Sequence, residues 1–192
     1  MKNVTVEVVE VVDDGNIEQC RDLCNELMAF QKSKATIAPD VFDLMNFDTR
    51  MKKSYESALA SQIVVVKDAG IPVGYGFSTL EKVEVGGPFP DWAPVNKTGK
   101  TLGFYPEWDN LPEKAGCLSN IYFRPEYRGM GLGTKLFKIA MEWFEGFPDI
   151  NLVFIYISNG NDAAMDFYLK QGCTYSHDVF DGFIKAIYKH IR

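Results

Sequence analysis

An apolar segment that runs directly into a glycine-rich turn constrains this chain more than any other feature. Residues 122–134 read YFRPEYRGMGLGT, and an amphipathic helical pattern follows them. Gly129, Gly131 and Gly133 carry no side chain that would keep a ligand off the backbone, and they tolerate positive φ. The N-terminus of the following helix favours an anion, and Arg128 adds a forked donor that suits phosphate oxygens. The segment therefore predicts a pyrophosphate cradle rather than a plain tight turn, which rarely needs three alternating glycines.

The spacing of these glycines excludes two familiar phosphate-binding motifs. A Walker A loop places lysine directly after its last glycine, but here Thr134 separates Gly133 from Lys135. The dinucleotide fingerprint is G-x-G-x-x-G, whereas this chain reads G-x-G-x-G. The pattern that fits is R-x-x-G-x-G, formed by Arg128, Gly131 and Gly133.

A second motif follows about one crossover unit later, where residues 161–172 read NDAAMDFYLKQG. In this order and at this separation, the two segments resemble the acetyl-CoA loop and the N-x-x-A-x-x-F-Y-x-x-x-G helix of the GCN5-related N-acetyltransferase (GNAT) family. The resemblance covers about residues 115–175 and is only topological before them. It implies an α/β fold with a central mixed sheet flanked by helices, and acetyl-CoA as the co-substrate.

Bulk properties indicate a globular chain and exclude several classes of function. The 192 residues are 46% hydrophobic and carry a net charge of −6, which argues against a disordered chain and against a nucleic-acid binder. No apolar run approaches the ~20 residues of a membrane helix, and residues 1–7 alternate like a strand rather than a signal peptide. The charge suits a cationic amine substrate, although ordinary solubility is the simpler explanation.

The cysteines and histidines indicate neither disulfides nor a metal site. Cys20 and Cys24 fall on the apolar face of a predicted helix, and the sequence has no C-x-x-C pair. Buried free thiols are the better interpretation, and they point to the cytoplasm. His177 and His190 stand alone in the sequence, so no metal is expected.

Hydrophobic periodicity predicts the element order β-α-α-β-β-β-α-β-α-β-β, which agrees with the topology of the GNAT family. Asn16, with Gln19 three residues later, is interpreted as the cap of the first helix. Asp48 is interpreted as the cap of the second helix. A hairpin is predicted for the last two strands, around Asp181 and Gly182.

We expect one domain over residues 1–192, with an insertion at about residues 85–116 that is rich in proline, glycine and aromatic residues. The large aromatic side chains of the insertion are Trp92, Phe104, Tyr105 and Trp108. They carry too much apolar surface to remain in water, which favours an ordered flap. The aromatic residues either pin the flap to the body or line a substrate site, and the flap could also form a dimer contact.

The resemblance implies that coenzyme A lies along the strand before the turn and over the turn itself. Backbone groups of Ile121 and Phe123 would pair with the pantetheine arm like an added strand, with the Phe123 N–H as donor to the thioester oxygen. The pyrophosphate would accept hydrogen bonds from the backbone N–H groups of Gly129, Met130, Gly131, Leu132, Gly133 and Thr134. Lys135 and Lys138 are weaker candidates for the 3′-phosphate, since helix lysines are usually solvated.

Two residues of the second motif acquire roles from the same resemblance. Tyr168 matches the family's tyrosine that protonates the coenzyme A thiolate. A phenol with a pKa of about 10 can give its proton to a thiolate of conjugate pKa about 8.5 only slightly uphill. The alternative is that Tyr168 packs as an aromatic beside Phe167. Asn161 would cap its helix and also hydrogen-bond the pantetheine.

The general base is not evident from the motifs. Family members often carry a glutamate about six residues before the proline of the turn, where this chain has Ser119 followed by Asn120. Neither residue can take the proton that an ammonium group with a pKa of about 10 must lose. Glu81, late in the preceding strand, is the first choice, although a solvated surface carboxylate is the simpler interpretation. The other candidates are Glu84, Asp91 and Asp109.

The sequence thus predicts a cytoplasmic N-acetyltransferase in which an amine attacks acetyl-CoA directly. Cys117 and Cys173 are expected to pack in the core rather than carry an acyl group. A small primary amine is the favoured acceptor, with no nucleic-acid or membrane partner, while a peptide amine and a homodimer stay open. The alternatives are a catalytically quiet acyl-CoA sensor, and a nucleotide-binding regulatory module that uses the same turn for ATP or NAD.

Overall fold

Seven segments rich in β-branched and aromatic residues form one mixed sheet in the computed structural model, which describes residues 4–9, 12–94 and 102–192. The strands are β1 (Val4–Val9), β2 (Ala60–Asp68), β3 (Ile71–Lys82), β4 (Lys114–Phe123), β5 (Leu152–Ser158), β6 (Thr174–Val179) and β7 (Ile184–His190). Their order is β1-β2-β3-β4-β5-β7-β6. Only the β4–β5 pair is parallel among these neighbours. The predicted mixed sheet and the closing β6–β7 hairpin are confirmed.

Helices cover both faces of the sheet. They are α1 (Asp14–Ile17), α2 (Arg21–Lys34), α3 (Lys53–Ser57), α4 (Leu132–Glu145) and α5 (Asp162–Lys170). The apolar side of α2 packs on one face, against residues of β2 and β3, whereas α4 and α5 pack on the other face, against β4 and β5. The 3₁₀ turn Glu18–Cys20 joins α1 to α2, and Phe47–Lys52 continues into α3, so two helical segments precede β2 and the predicted order is confirmed. The 3₁₀ segment Pro39–Leu44 between them was not predicted. No helix among the described residues has the length and apolar character needed to cross a membrane.

Both predicted helix caps were wrong by a few residues. The first helix begins with a capping box in which Asp13 and Asn16 accept each other's backbone N–H, at 2.7 and 2.9 Å. The helical segment Phe47–Lys52, which leads into α3, begins with a similar box between Asn46 and Thr49. Asp48 instead accepts a hydrogen bond from Arg21, 2.6 Å away. Several adjacent residues could cap each segment, and tertiary contacts decide which one does.

A bulge in β4 changes the face to which its side chains point. In the register with β3, Ser119 stands between Leu118 and Asn120 without a partner of its own. Such an extra residue reverses the alternation of the strand. Cys117 and Asn120 consequently face the same cavity, and Tyr122 continues that face into the core beside α2.

Strands β4 and β5 separate after a short pairing. Their ladder extends from Gly116 with Val153 to Leu118 with Ile155, although β4 continues to Phe123 and β5 to Ser158. Beyond the ladder, the two strands leave an opening bordered by backbone groups that do not bond across it. The glycine-rich turn and the N-terminus of α5 both follow the strand ends at this opening.

Aromatic contacts pin the described parts of the insertion to the body. The rings of Phe89 and Trp92 lie edge-on against Phe180, with centroids 5.5 and 6.1 Å apart. Phe104 also packs on Phe180, at 5.2 Å. The predicted ordered flap is confirmed for these residues, while the central part of the insertion, residues 95–101, lies outside the described residues.

Candidate functional site

Two cavities border β4. The first, of about 500 Å³, lies between the glycine-rich turn, α2 and α5, and we call it the turn cavity. The second, of about 860 Å³, lies beneath the aromatic insertion and α3, and we call it the flap cavity. Residues Ile121 and Phe123 of β4 line the turn cavity, and Ser119 and Asn120 line the flap cavity.

Two of the three glycines adopt the conformation that the sequence predicts. Gly129 and Gly131 have φ angles of 74° and 75°, which other residues adopt only with strain. Gly133 is helical instead, and a Cβ on it would touch the ring of Phe167 at 3.6 Å. The first two glycines therefore shape the turn, whereas a Cβ at the third would make only an ordinary van der Waals contact with α5.

The first turn of α4 presents free N–H groups to the turn cavity. Gly131 is the residue before the helix and offers no capping side chain. Lys135 is the residue whose N–H reaches back to the Gly131 carbonyl, at 3.2 Å. The N–H groups of Leu132, Gly133 and Thr134 thus precede the helical ladder, and all three residues line the cavity. An anion here would gain these donors and the favourable helix dipole.

Arg128 lines the same cavity, but part of its side chain is already engaged. Its Nε donates to the carbonyl of Phe123 at 3.0 Å, and its guanidinium lies 4.6 Å from the ring of Phe30. Met130 is 49% exposed and is not among the cavity-lining residues. Only the backbone of Met130 stays a candidate for the pyrophosphate.

The two predicted 3′-phosphate ligands lie farther along α4. Lys135 and Lys138 are exposed and line neither cavity. Lys138 forms an exposed pair with Glu142 at 3.6 Å. The structure supplies no observation that favours these lysines over ordinary solvated ones.

The backbone groups of β4 that face the opening belong to Ile121 and Phe123. Arg124 donates its N–H to the Val73 carbonyl on β3, at 3.0 Å. Because N–H directions alternate along a strand, those of Ile121 and Phe123 point away from β3, toward the opening. The Phe123 carbonyl faces the same side, since Arg128 binds it. This edge can accept an extended chain as a further strand.

Tyr168 lies at the inner end of the turn cavity. It is only 6% exposed, and its ring packs 5.0 Å from Phe167 and 6.0 Å from Phe137. Burial raises the pKa of this phenol well above its ordinary value, with smaller contributions from Cys173 and Cys117. The hydroxyl therefore stays protonated, but releasing its proton costs more than the sequence suggested. A thiolate in the same dry site is destabilised in the same way, which offsets part of that cost.

Asn161 precedes α5 and lines the turn cavity, but its side chain does not cap the helix. The predicted capping role is therefore wrong. Its backbone carbonyl accepts from the Met165 N–H at 3.2 Å, so the backbone still begins the helix. The side-chain amide is left beside the cavity, where it can reach a ligand.

The neighbouring Asn159 is a structural residue that the sequence did not reveal. It is 3% exposed. Its Oδ1 accepts from the N–H groups of Thr36 and Ile37 at 2.7 and 2.8 Å. Its Nδ2 donates to the carbonyls of Ile37 and Phe183 at 3.1 and 3.0 Å. This clamp ties the loop after α2 to the end of β5, and thus holds two walls of the turn cavity together.

Glu81 lines the flap cavity and is half-buried. One carboxylate oxygen accepts from the Thr79 hydroxyl at 2.7 Å, and the other accepts from the Tyr105 hydroxyl at 3.1 Å. Burial raises the pKa of Tyr105, and the charge of Glu81 raises it further. Each carboxylate oxygen keeps a free lone pair, so Glu81 is fixed in place and can still accept a proton.

The other carboxylates proposed from the sequence are less suitable as a base. Glu84 and Asp109 are exposed and are not among the lining residues of either cavity. Asp91 lines the flap cavity, but it is almost fully exposed and pairs with Lys53 at 3.5 Å. Glu81 is therefore the candidate base that the geometry favours.

Arg50 also lines the flap cavity, and sequence reasoning missed it. It belongs to the π-helical turn Phe47–Lys52, and its Nη1 donates to the Asn120 Oδ1 at 2.5 Å. Arg50 and Asn120 are 70 residues apart in the sequence, so no local pattern could reveal the contact. Asn120 therefore holds the guanidinium of Arg50 in position and does not act as a base.

All four cysteines are buried and free, as predicted. Burial raises the pKa of Cys117 well above its ordinary value, and the charge of Glu81 raises it further. Burial also raises the pKa of Cys173 to about 11 and that of Cys20 to about 12. A thiol that stays protonated is a poor nucleophile, which argues against a cysteine acyl carrier.

Comparison with known proteins agrees with this geometry. The model of the acetyltransferase (GNAT) family matches residues 28–173. No curated protein sequence matches the chain. The solved structures that resemble it include the PaiA N-acetyltransferase of Thermoplasma acidophilum in complex with coenzyme A. That likeness has a TM-score of 0.63 and 13% identity over 97% of this chain and 99% of the other.

Two plant structures are similar over comparable lengths. Naa50 of Arabidopsis thaliana, in complex with the bisubstrate analogue CoA-Ac-MVNAL, has a TM-score of 0.56 and 15% identity over 96% of this chain and 97% of its own. NAA60 of Arabidopsis thaliana, in complex with acetyl-CoA, has a TM-score of 0.57 and 11% identity over 97% and 99%. At such identities the likeness shows the fold alone, which is that of the acyl-CoA N-acyltransferases.

Proposed function

The chain belongs to the acetyltransferase (GNAT) family, and we propose that it moves the acetyl group of acetyl-CoA to a primary amine by direct attack. The observation that carries this proposal is the free edge of β4 from Ile121 to Phe123. This edge lines the turn cavity, and the preceding residue, Asn120, lines the flap cavity, so an amine in the flap cavity would approach a thioester bound along the edge. A small-molecule amine is the proposed acceptor.

The turn cavity would bind the coenzyme. The N–H groups at the start of α4 and the side chain of Arg128 suit a pyrophosphate. The pantetheine arm would pair with the Ile121 and Phe123 backbone, and the Asn161 amide is near enough to the cavity to contact it. The Phe123 N–H would then donate to the thioester oxygen and stabilise the oxyanion that forms during attack.

The flap cavity would bind the amine. Glu81 or a water molecule that it holds would take the proton of the incoming ammonium, and the neutral nitrogen would attack the carbonyl carbon. The C–N bond forms, the attacking nitrogen releases its second proton to solvent, and the C–S bond breaks as the oxyanion collapses. Tyr168 would give its proton to the departing thiolate, which leaves as the free thiol of coenzyme A, and the phenol would regain a proton from solvent.

The first test is a calorimetric titration of the purified protein with acetyl-CoA, with ATP and NAD run in parallel. We expect acetyl-CoA to bind selectively and amines to cause release of free coenzyme A thiol. Selective binding without turnover on a broad amine panel would replace the enzyme with an acyl-CoA sensor. Binding of ATP or NAD in preference to acetyl-CoA would overturn the assignment of the turn.

A further inference from the structure

The five arginines of the chain differ in what neutralises them. Arg21 pairs with carboxylates, Arg124 pairs with a carboxylate, and Arg192 donates to backbone carbonyls. Arg128 and Arg50 form no ion pair with any carboxylate that the structure describes. Arg128 lines the turn cavity, where an anionic ligand is proposed, and Arg50 lines the flap cavity.

Arg50 is held in position and half-buried. Its contact with Asn120 uses one of the five N–H donors of the guanidinium, which leaves several donors for a ligand. The charge of Arg50 also acts on a buried group. Burial raises the pKa of Cys24, and among the groups that lower this pKa, Arg50 has the largest effect. A partly desolvated cation with an anchored fork is complementary to a planar anion such as a carboxylate.

The flap cavity holds one negatively charged side chain that is buried to a similar extent as Arg50. Lys53 and Asp91 pair with each other at the exposed rim, and Glu56 is also exposed there. Among the described lining residues, the half-buried charges are therefore Arg50 and Glu81. They form no ion pair with each other. Burial is the main cause of the raised pKa of Cys117. The charge of Glu81 raises this pKa further and the charge of Arg50 lowers it, so both charges act on this thiol.

The remaining wall of the flap cavity is mainly apolar. It includes Phe89, Trp92, Phe104 and Tyr156. With a volume of about 860 Å³, the cavity falls within the usual range for small-molecule sites. Two separated opposite charges beside an aromatic wall are complementary to a zwitterion with an apolar group.

We propose that the acceptor is an amino acid with a free carboxylate and an apolar side chain. Arg50 binds the carboxylate, the amine faces Glu81 and the β4 edge, and the aromatic wall receives the side chain. This inference rests on the proposed function and narrows its acceptor. A polyamine would place further cations near Arg50, and the amine of a long peptide carries no carboxylate beside it.

The test compares L-amino acids with their own amides, which differ only in the carboxylate. Thiol release from acetyl-CoA is measured for the twenty amino acids, the matching amides and spermidine. We expect an apolar amino acid, such as L-phenylalanine, to have a higher kcat/KM than its amide and than spermidine. In Arg50→Gln, the KM of that amino acid should rise about 10- to 100-fold while that of the amide stays unchanged.

Two further variants isolate the cause. Arg50→Lys keeps the charge but loses the planar fork, so its KM should lie between those of the wild type and Arg50→Gln. Arg192→Gln removes one positive charge away from both cavities and should leave the preference for the amino acid unchanged. If Arg50→Gln does not fold, the comparison of acid and amide on the wild type and on Arg50→Lys decides the question.

Binding measurements separate this inference from the proposed function. Amino acid and amide are titrated by calorimetry into the protein saturated with coenzyme A. Turnover of amides or spermidine as fast as amino acids would overturn the acceptor assignment and leave the acetyltransferase standing. Selective binding of the amino acid without turnover would support the acceptor site and overturn the enzyme. If Arg50→Gln raises the KM of the amide as much as that of the amino acid, Arg50 has only a structural role.

Discussion

The turn cavity and the flap cavity border the same strand but are lined by different kinds of chemical group. The turn cavity offers mainly backbone groups: two glycines with positive φ, the first N–H groups of α4, and the free edge of β4. The flap cavity offers side chains from distant segments, with Arg50, Glu81 and Phe104 brought together by the fold. Backbone-built sites can be recognised from local sequence, whereas side-chain sites depend on long-range contacts.

This contrast also divides the chemistry. A backbone cradle suits a ligand part that is common to many enzymes, because any sequence with the right glycines can form it. The side chains of the flap cavity can vary without disturbing that cradle, since they belong to other elements. We therefore expect variants on the turn side to change coenzyme affinity or the fold, and variants on the flap side to change only the acceptor and its activation.

Tyr168 is the main exception to this contrast, because it would give the turn cavity a catalytic side chain in addition to its coenzyme-binding backbone. Tyr168→Phe should lower kcat about 1000-fold, since a general acid contributes 10²–10⁴-fold, while the acetyl-CoA Kd from calorimetry stays the same. Tyr175→Phe is the matched control, because that exposed hydroxyl bonds only Asp178 among the described contacts. A collapse of acetyl-CoA affinity in Tyr168→Phe would make the tyrosine structural.

Asn159 tests whether the walls of the turn cavity depend on one buried side chain. Asn159→Ala leaves the N–H groups of Thr36 and Ile37 without their acceptor, and should lower the free energy of unfolding by about 3 kcal/mol. Urea unfolding measures this loss. Asn151→Ala, at an exposed position, should change it by less than about 0.5 kcal/mol. Equal stability of the two variants would show that the clamp is unimportant.

Glu81 tests whether the flap cavity supplies the base. Glu81→Gln keeps the size of the side chain but removes the proton acceptor, and should lower kcat/KM about 100-fold. The acetyl-CoA Kd should not change, because Glu81 lines the other cavity. Glu84→Gln is the exposed control and should retain full activity. If Glu84→Gln were the impaired variant, the base would lie outside the flap cavity.

Arg128 gives the smallest effect, because it adds one side chain to a cradle made of backbone. Arg128→Gln should weaken acetyl-CoA binding about 10-fold, the value of one charge-assisted hydrogen bond. Calorimetry at two salt concentrations should show a shallower salt dependence than in the wild type. Lys138→Gln, at an exposed lysine, should stay within about twofold; a loss equal to that of Arg128→Gln would place a phosphate at this lysine.

The sequence by itself determined the element order and the glycine turn, because hydrophobic periodicity sets each element and glycine sets the shape of a turn. The mixed sheet and the candidate Tyr168 came from the resemblance of its motifs to the GNAT family. The sequence was wrong about the caps at Asn16 and Asp48, where neighbouring polar residues have similar capping ability. Local chemistry predicts that a cap exists more reliably than it predicts which residue forms it.

Only the tertiary structure decided the contacts between distant segments. In the flap cavity it placed Ser119 at a bulge and brought Arg50 to Asn120 across 70 residues, and beside the turn cavity it let Asn159 join the loop after α2 to the end of β5. Each of these contacts joins segments far apart in the chain, and a single polar residue carries no signal of its distant partner. The glycine turn of the turn cavity follows from backbone conformation, which is local, whereas the flap cavity follows from packing between distant segments, which is not.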